Sequence, residues 1–334
     1  MNARMKRRRV NAGCLPDYGT CRTSARVGSC PEMTTLSNPS VTVVIVHWNQ
    51  PERCVRTAHA FFEQEGVDAH LVLVDNGSSS QALAALAGEL PAADLVPVGR
   101  NVGFGGAANV GLRRWLEHGT GEWVVVAPHD ALPEPDCVRR LLDAVAERPR
   151  AGLASAEFGE PGKPVVDRYF GGILVDRQRS EGWEDAGHPH GTLLVARREC
   201  LEEVGLFDER YFAYCEEADL GLRATAAGWE VGVVWGAIVR NPSVSVRSEV
   251  AEYLMLRNSL VLVREHFGRY PAFIRICFAV VNTTRLGLHP AARGPFFSWP
   301  ARRRALRDFL RGRLGPPPPD VALAAYQGNA ARIR

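Results

Sequence analysis

The strongest constraint on the fold is a regular alternation of short apolar runs with helix-like segments between residues 41 and 127. Short apolar runs that end in polar turn residues are typical of buried strands. Strands that alternate with helices indicate a parallel sheet with helices on both faces. The predicted elements are strands 41–46, 70–75, 95–98 and 122–127, with helices 51–62, 79–90 and 105–117 between them.

The second half of the chain has a weaker pattern. Residues 156–190 are rich in glycine, proline and charge, which predicts a loop region crossed by one short strand at 172–175. The remaining predicted elements are a strand and a helix within 191–209, a helix at 216–227, a strand pair at 231–239, and long helices at 248–267 and 270–288.

Composition excludes several classes of protein. A net charge of +3 over 334 residues is too small to indicate a nucleic-acid partner. The eight cysteines include no Cys-x-x-Cys pair, which argues against a zinc site and for a reduced, cytoplasmic chain. Residues 1–40 lack the apolar core of a secretory signal, and no run of about 18 uncharged apolar residues predicts a spanning helix.

Polar residues follow each of the four predicted strands. Any one of these groups could be ordinary turn chemistry, since Asn, Asp, Gly and Ser dominate turns. However, the carboxyl ends of parallel strands meet at one edge of a sheet, where ligands bind. The sequence therefore predicts a site there, from the groups His47-Trp48-Asn49, Asp75-Asn76-Gly77-Ser78, Arg100-Asn101 and His129-Asp130.

The stretch NVGFGGAANVG, residues 101–111, contains the pattern Gly103-x-Gly105-x-x-Ala108 of a dinucleotide-binding fingerprint. In a dehydrogenase that fingerprint joins the first strand to its helix. Here it follows the third strand, and the first strand ends in HWNQ without a glycine. We therefore interpret the match as coincidental and exclude a dehydrogenase.

Two acidic features are candidates for chemistry. Asp130 follows an apolar strand, where a carboxylate could hold Mg²⁺ or Mn²⁺ or could simply open the turn before Pro133. Glu216, Glu217 and Asp219 crowd the first turn of a helix. The helix dipole favours acids there, but mutual repulsion also raises pKa values and suits a general base.

Together these segments resemble a family 2 glycosyltransferase of the GT-A nucleotide-diphospho-sugar transferase fold, in its rhamnosyltransferase-like branch. The resemblance covers about residues 41–268, with the motifs in the family's order. The matching stretches are VTVVIVHWNQ, LVLVDNGSSS, NVGFGGAANVG, HDALPEP, GTLLVARRECLEEVGLFDERYFAYCEEADLGLRATAAG and YLMLRNSLVLVREHFG.

The resemblance implies an α/β fold with a mainly parallel central sheet, helices on both faces and a C-terminal helical extension. It also implies an inverting transfer of sugar from a UDP- or dTDP-sugar, with dTDP-rhamnose among the candidates. The acceptor would be a hydroxyl of a glycan, a lipid-linked glycan or a secondary metabolite. The alternative is an inactive nucleotide-sugar binding or partner protein. A nucleotidyltransferase would need a glycine-rich basic loop after the first strand, which this sequence lacks.

The resemblance also implies roles for individual residues. Glu217 would be the catalytic base, Glu216 would orient the acceptor, and Asp130 would bind the divalent cation, Mg²⁺ or Mn²⁺. Donor binding would involve Trp48, Asn49, Asp75, Asn76, Gly77, Arg100, Asn101, Gly103, Phe104, Gly105, Asn109 and His129. Acceptor binding would involve Gly191, Thr192 and Asp219.

Two departures from the family pattern bear on the cation. Pro128 and His129 precede Asp130 where the family usually has Asn or Asp, and Arg240 and Asn241 stand where its late metal-binding His would fall. We therefore expect weak cation binding, with Arg240 partly replacing the cation electrostatically.

The expected organisation has four parts. Residues 1–40 would be a disordered or mis-assigned extension, 41–245 the GT-A domain, 246–314 a helical region and 315–334 a flexible tail. The helices after residue 268 are amphipathic and basic, so they are either a peripheral contact with the inner face of the plasma membrane or a packing or oligomerisation module. The expected location is cytoplasmic, with no nucleic acid bound.

Overall fold

The computed structural model describes residues 38–159, 161–241, 248–294 and 297–321. Nearly all of the predicted N-terminal extension and most of the predicted C-terminal tail lie outside these ranges. The boundary predicted at residue 245 lies outside them too, so this division of the chain stays a prediction.

The strands and helices alternate through the first half of the chain, as predicted. The strands are β1 (Ser40–His47), β2 (Asp68–Asp75), β3 (Asp94–Pro97), β4 (Trp123–Pro128), β5 (Leu132–Pro133), β6 (Ala151–Glu157), β7 (Gly162–Asp167), β8 (Gly171–Asp176), β9 (Gly182–Asp185), β10 (Leu194–Arg197) and β11 (Glu230–Arg240). The helices are α1 (Pro51–Phe62), α2 (Ser80–Glu89), α3 (Phe104–His118), α4 (Cys137–Ala146), α5 (Arg198–Val204), α6 (Glu216–Ala226), α7 (Ser248–Phe267), α8 (Arg269–Leu288) and α9 (Trp299–Leu310).

The central sheet of the described residues has the order β3-β2-β1-β4-β10-β6-β11-β5, and β9 also pairs with β11. Strands β3, β2, β1 and β4 are parallel, and β6 and β11 run in their direction because β10 is antiparallel to both β4 and β6. The sheet is thus mixed but mostly parallel. A separate hairpin pairs β7 with β8.

Two apolar layers lie on opposite faces of the sheet. Alternate residues of each strand contribute to one layer or the other, because successive side chains of a strand point to opposite faces. In β1, Val43 and Ile45 pack with helices α1, α2 and α4, while Val44 and Val46 pack with α3, α5 and α6. The predicted α/β sheet with helices on both faces is therefore confirmed.

The C-terminal helices form a third cluster of buried residues. Tyr253, Leu260 and Leu262 of α7 pack with Phe309 of α9 and reach Tyr211, which precedes α6. The predicted helical extension is confirmed and contacts the segment that introduces α6. No helix within the described ranges is both long enough and apolar enough to cross a membrane.

The strand pair predicted at 231–239 was wrong. The segment is one strand, β11, which continues through Gly236 at φ 87° with shifts of register against β6. Several further elements are not predicted from the sequence: β6, the strands β7 and β9 that flank the predicted short strand, and the helices α4 and α9.

Candidate functional site

The ends of β1 and β2 are joined by a buried histidine–carboxylate pair. Nδ1 of His47 lies 2.9 Å from Oδ1 of Asp75, and the backbone N–H of Gln50 donates to Nε2 of His47 at 3.1 Å. Because Nε2 is an acceptor, the proton of the neutral ring is on Nδ1 and is donated to Asp75. Burial lowers the pKa of His47, against the opposing effect of Asp75. The other oxygen of Asp75 accepts the N–H of Ser78 at 3.1 Å.

The loop after β1 is tied to the loop after β2. Asn49 has a left-handed backbone, with φ 50°, and its side chain accepts the N–H of Ser79 at 2.9 Å. The N–H of Asn49 donates to Oγ of Ser78 at 2.8 Å. The neighbouring Trp48 is exposed, so its ring is available to a ligand at this edge.

The β2 loop also holds the start of α3. Asn76 is buried and its amide donates to Oδ1 of Asn101 and to the carbonyl of Gly103, both at 3.2 Å. Gly77 has φ 75°, and a Cβ there would lie 2.3 Å from the carbonyl carbon of Arg100, so this close approach requires glycine. The side chain of Arg100 is exposed.

Gly103 brings the start of α3 against the segment before α6. It has φ 86°, and a Cβ would lie 2.1 Å from the carbonyl oxygen of Phe212. The N–H of Phe104 donates to that same oxygen at 2.7 Å.

Asn109 fastens the middle of α3 to the same region. Its amide donates to the carbonyl of Phe207 at 2.8 Å and to Glu209 at 3.0 Å, and its oxygen accepts the N–H of Phe207. The Asn109 side chain is therefore fully bonded within the protein.

Asp130 lies after β4, buried with His129. Oδ1 of Asp130 accepts the Asn241 amide at 3.2 Å, so the structure brings together two positions that the family pattern links to the cation. Nε2 of His129 is buried without a hydrogen-bond partner. Arg240 instead pairs with Glu134 at 2.6 Å and is well exposed.

The two candidate catalytic glutamates differ in environment. Glu216 is buried at the start of α6, and its Oε2 has no hydrogen-bond partner. Burial raises the pKa of Glu216 well above its usual value, and the adjacent Glu217 raises it further. Glu217 is half-buried, and a Cβ on Gly191 would lie 3.7 Å from its Oε1.

The loop that contains Gly191 forms a wall beside Glu217. The N–H of Thr192 donates to Nδ1 of His190 at 3.2 Å, and the His190 ring stacks on Phe158 with centroids 3.5 Å apart. Burial, with a smaller contribution from His188, lowers the pKa of His190 to about 3, so the ring is neutral.

Asp219, predicted to bind the acceptor, is bonded to the protein through both oxygens. Oδ2 accepts from Nε of Arg223 at 2.8 Å, and Oδ1 lies 2.8 Å from Nε2 of His266 in α7. Arg223 in turn donates to the carbonyls of Val204 and Leu206. The carboxylate therefore ties α6 to α7 and to the end of α5.

Comparison with known proteins identifies a domain within the chain. Residues 42–205 match the profile described as Glycosyl transferase family 2. The chain carries a family 2 glycosyltransferase domain. The matched segment contains β1 to β4, the Asn76–Gly103 contacts, Asp130 and the Gly191 loop, and it ends before α6.

Two curated relatives of this glycosyltransferase are rhamnosyltransferases. An N-acetylglucosaminyl-diphospho-decaprenol L-rhamnosyltransferase of Mycobacterium tuberculosis is 29% identical over 243 residues, which are 61% of this chain and 78% of the relative. A dTDP-rhamnosyl transferase of Shigella flexneri is 24% identical over 268 residues, which are 74% of this chain and 88% of the relative.

The glycosyltransferase also has the expected fold. It is similar to a mannosyltransferase from Pyrobaculum calidifontis in complex with GDP-Man and Mn²⁺, with a TM-score of 0.54 and 18% identity. The match covers 89% of this chain and 81% of the mannosyltransferase. At this identity the likeness shows the fold alone, and the predicted GT-A fold is confirmed.

Sequence reasoning missed several residues that shape the site. The sequence predicts His47 only as part of a polar strand end, although it is the buried partner of Asp75. The contacts of Ser78 with Asn49 and of His266 with Asp219 were missed as well. Their partners are 29 and 47 residues away along the chain, so no local pattern could have identified them.

Proposed function

We propose that this glycosyltransferase transfers a sugar, with inversion, from a UDP- or dTDP-sugar to an acceptor hydroxyl, with dTDP-rhamnose as the first candidate donor. The rhamnosyltransferase names of the two curated relatives support that choice. The proposed acceptors are a glycan, a lipid-linked glycan or a small secondary metabolite, and the lipid-linked class is favoured by the diphospho-decaprenol relative.

The observation that carries the proposal is the contact between the carboxylate pair and the glycine-rich segment. A Cβ on Gly105 would lie 3.6 Å from Cγ of Glu216, so the glutamates adjoin the segment that the resemblance assigns to the donor. Glu217 is the more accessible of the two and faces Gly191, on the proposed acceptor side.

In the proposed reaction the acceptor oxygen attacks the anomeric carbon from the side opposite the leaving diphosphate. The new glycosidic C–O bond forms as the C–O bond to the diphosphate breaks, and the hydroxyl proton passes to the Glu217 carboxylate. The nucleoside diphosphate leaves with the bonding electron pair. The buried Glu216 holds its proton more tightly and is proposed to orient the acceptor by hydrogen bonding.

The donor is proposed to lie along the strand edge. The exposed Trp48 ring would cover the nucleobase, and Arg100 would contact a phosphate or base edge. Asn76, Asn101, Gly103 and Asn109 are bonded within the protein, so their proposed contribution is the shape of the donor pocket rather than free polar groups.

A divalent cation is proposed to bind through Asp130. The described residues contain no cluster of three or more His, Cys, Asp or Glu side chains that could hold a metal. One carboxylate together with substrate phosphates is nevertheless a usual arrangement for Mg²⁺. When bound, the cation would stabilise negative charge on the diphosphate.

A peripheral membrane contact is proposed for the outer face of α8, which we call the α8 apolar face and define as Tyr270, Phe273, Val281 and Leu288. These side chains are 59–72% exposed and lie on one side of the helix. Residues 269–313 contain ten Arg and a single acidic residue, Asp308, and of these arginines Arg302 pairs with Glu252 and Arg304 pairs with Asp308 and Asp320. Apolar side chains flanked by this positive charge suit the anionic inner face of the plasma membrane, where a lipid-linked acceptor would lie.

The test is release of nucleoside diphosphate from a panel of UDP-, dTDP- and GDP-sugars, with and without Mn²⁺. We expect turnover with one nucleotide class and a loss of about 10²-fold or more in kcat for Glu217→Gln. Glu199→Gln, an exposed glutamate in the first turn of α5, is the matched control. Binding of a donor without turnover would favour an inactive binding protein. A protein that neither binds nor turns over any of these donors would refute the proposal.

A further inference from the structure

The segment that leads into α6 has an unfavourable backbone. Phe212, Tyr214 and Cys215 have φ values of 68°, 69° and 73°, although none of them is glycine. L-residues rarely adopt a positive φ, and such a backbone persists only where the surrounding structure imposes it. We call residues 212–215 the left-handed loop.

The side chain of Asn258 in α7 contacts backbone carbonyls of the left-handed loop. Its amide nitrogen lies 2.9 Å from the carbonyl oxygen of Tyr211 and 2.8 Å from those of Ala213 and Tyr214. The side chain is 1% exposed, so water does not compete for these carbonyls. The two N–H groups of this amide are thus shared among three carbonyls of residues 211–214, and the Tyr211 carbonyl also accepts from Arg257.

Arg257 fixes the orientation of that amide. Its Nε donates to Oδ1 of Asn258 at 2.9 Å, which leaves the NH₂ group facing the loop. The guanidinium is fully buried and also donates to the carbonyls of Tyr211 and Gly315. Among the described residues no carboxylate lies within ion-pair distance of it, so backbone carbonyls and neutral side chains solvate its charge.

The left-handed loop connects the two sides of the site. It ends at Cys215, directly before Glu216, and its Phe212 carbonyl accepts the N–H of Phe104 at the start of α3. A change in the loop would therefore move the first turn of α6 relative to the glycine-rich segment.

We propose that Asn258, oriented by Arg257, is a positioning residue that holds Glu216 and Glu217 in place through the left-handed loop. This role rests on the proposed function, since it assumes that the glutamates act on the acceptor. It predicts that loss of the amide lowers kcat while donor binding, on the strand edge, changes little. A misplacement of about 1 Å can cost about 10²-fold in rate.

The experiment compares kcat, the donor dissociation constant and thermal stability for the full-length enzyme and its variants. For Asn258→Ala we expect kcat to fall by about 10²-fold and donor affinity to change by less than about 3-fold. Asn258→Ser, which keeps one hydrogen-bond donor, should be intermediate and serves where the alanine variant does not fold.

Rescue separates positioning from stability alone. Cys215→Gly removes the steric cost of the left-handed conformation, so in the Asn258→Ala or Asn258→Ser background it should recover part of the lost kcat. Cys215→Ala in the same background retains a Cβ and should recover none.

Three outcomes would overturn the proposal. A folded Asn258 variant with unchanged kcat would show that the amide does not position the glutamates. Equal kcat in the glycine and alanine double variants would show that Asn258 does not act by holding the strained backbone of the left-handed loop. If the unsubstituted enzyme turned over no donor, the proposed function itself would fail, and the positioning role with it.

Discussion

The Nδ1–H of His47 points at Oδ1 of Asp75, 2.9 Å away, because the other ring nitrogen accepts the N–H of Gln50. Asp75 also accepts the N–H of Ser78, so both carboxylate oxygens serve the loops at the ends of β1 and β2. By holding these two loops, Asp75 would shape the proposed donor site indirectly, in addition to any direct contact with a nucleotide.

Asp75→Asn should therefore lower the free energy of unfolding by about 1–3 kcal/mol, since an amide has one acceptor where the site needs two. Asp68→Asn, at the exposed start of the same strand, is the control. Urea denaturation measures both, and equal midpoints would contradict the structural role of Asp75.

Gly103→Ala should be more damaging than Gly99→Ala. Both glycines have positive φ, 86° and 80°, so both variants carry a conformational cost of about 1–2 kcal/mol. Only at Gly103 must the new Cβ also displace the Phe212 carbonyl, whereas nothing lies within 4 Å at Gly99. We expect an additional loss of about 1–3 kcal/mol at Gly103, measured by chemical denaturation. Similar losses in the two variants would mean that the loops separate easily.

Relative to the wild-type protein, the Glu216→Gln variant should become increasingly more stable as pH rises. The pKa of Glu216 is higher in the folded protein than its ordinary value of 4.5, so the folded state binds the proton more tightly than the unfolded state. Wild-type stability therefore falls as pH rises from the ordinary value towards the raised one, and glutamine removes that loss. Chemical denaturation at several pH values measures the difference in the free energy of unfolding between variant and wild type, with Glu199→Gln as the control. A stability difference independent of pH would contradict the raised pKa.

Removal of the Asp130 carboxylate should weaken the effect of Mn²⁺ on nucleotide binding. We expect Asp130→Asn to lose most of the tightening that Mn²⁺ gives to UDP or dTDP and to retain the metal-independent affinity. Asp136→Asn, whose partner Arg140 lies in α4, is the control. Calorimetry with and without EDTA measures both variants. An unchanged Mn²⁺ response in Asp130→Asn would place the cation elsewhere.

Acidic substitutions on the α8 apolar face should abolish vesicle binding. We expect the enzyme to bind phosphatidylcholine vesicles that contain phosphatidylglycerol, and less so at high salt. Phe273→Glu with Val281→Glu should remove this binding. Ala84→Glu with Ala87→Glu, on the exposed side of α2, adds the same charge elsewhere. A dimer of the unsubstituted enzyme that the α8 variant dissociates, without vesicle binding, would instead make this face an interface between copies.

The first four strands could be predicted because their signal is local. The run VTVVIV is apolar throughout, and a strand buried on both faces needs no alternation of polar residues. Because the carboxyl ends of parallel strands meet at one edge of a sheet, the polar residues that follow these strands were predicted to lie together there. Asp75, Asn76 and Asp130 do lie in that region.

The remaining features depend on contacts distant in sequence. Strand β6, AGLASAE, has small residues that carry little strand signal and is defined by pairing with β10 and β11. The left-handed loop could not be anticipated from YFAYC, because Asn258, whose amide bonds to carbonyls of this loop, lies more than 40 residues later. The roles of Asp219 and Asn109 as ties within the protein likewise emerge only from the packing of helices on the sheet.

The contact of Gly103 with the Phe212 carbonyl has a thermodynamic consequence. Because the two backbones touch there, a donor that orders residues 101–105 would also restrict the left-handed loop. Such a donor would lower the entropy cost of binding an acceptor beside the left-handed loop, and linkage requires the acceptor to tighten donor binding by the same factor. Replacing Gly103 would thus uncouple the two substrates as well as loosen the fold.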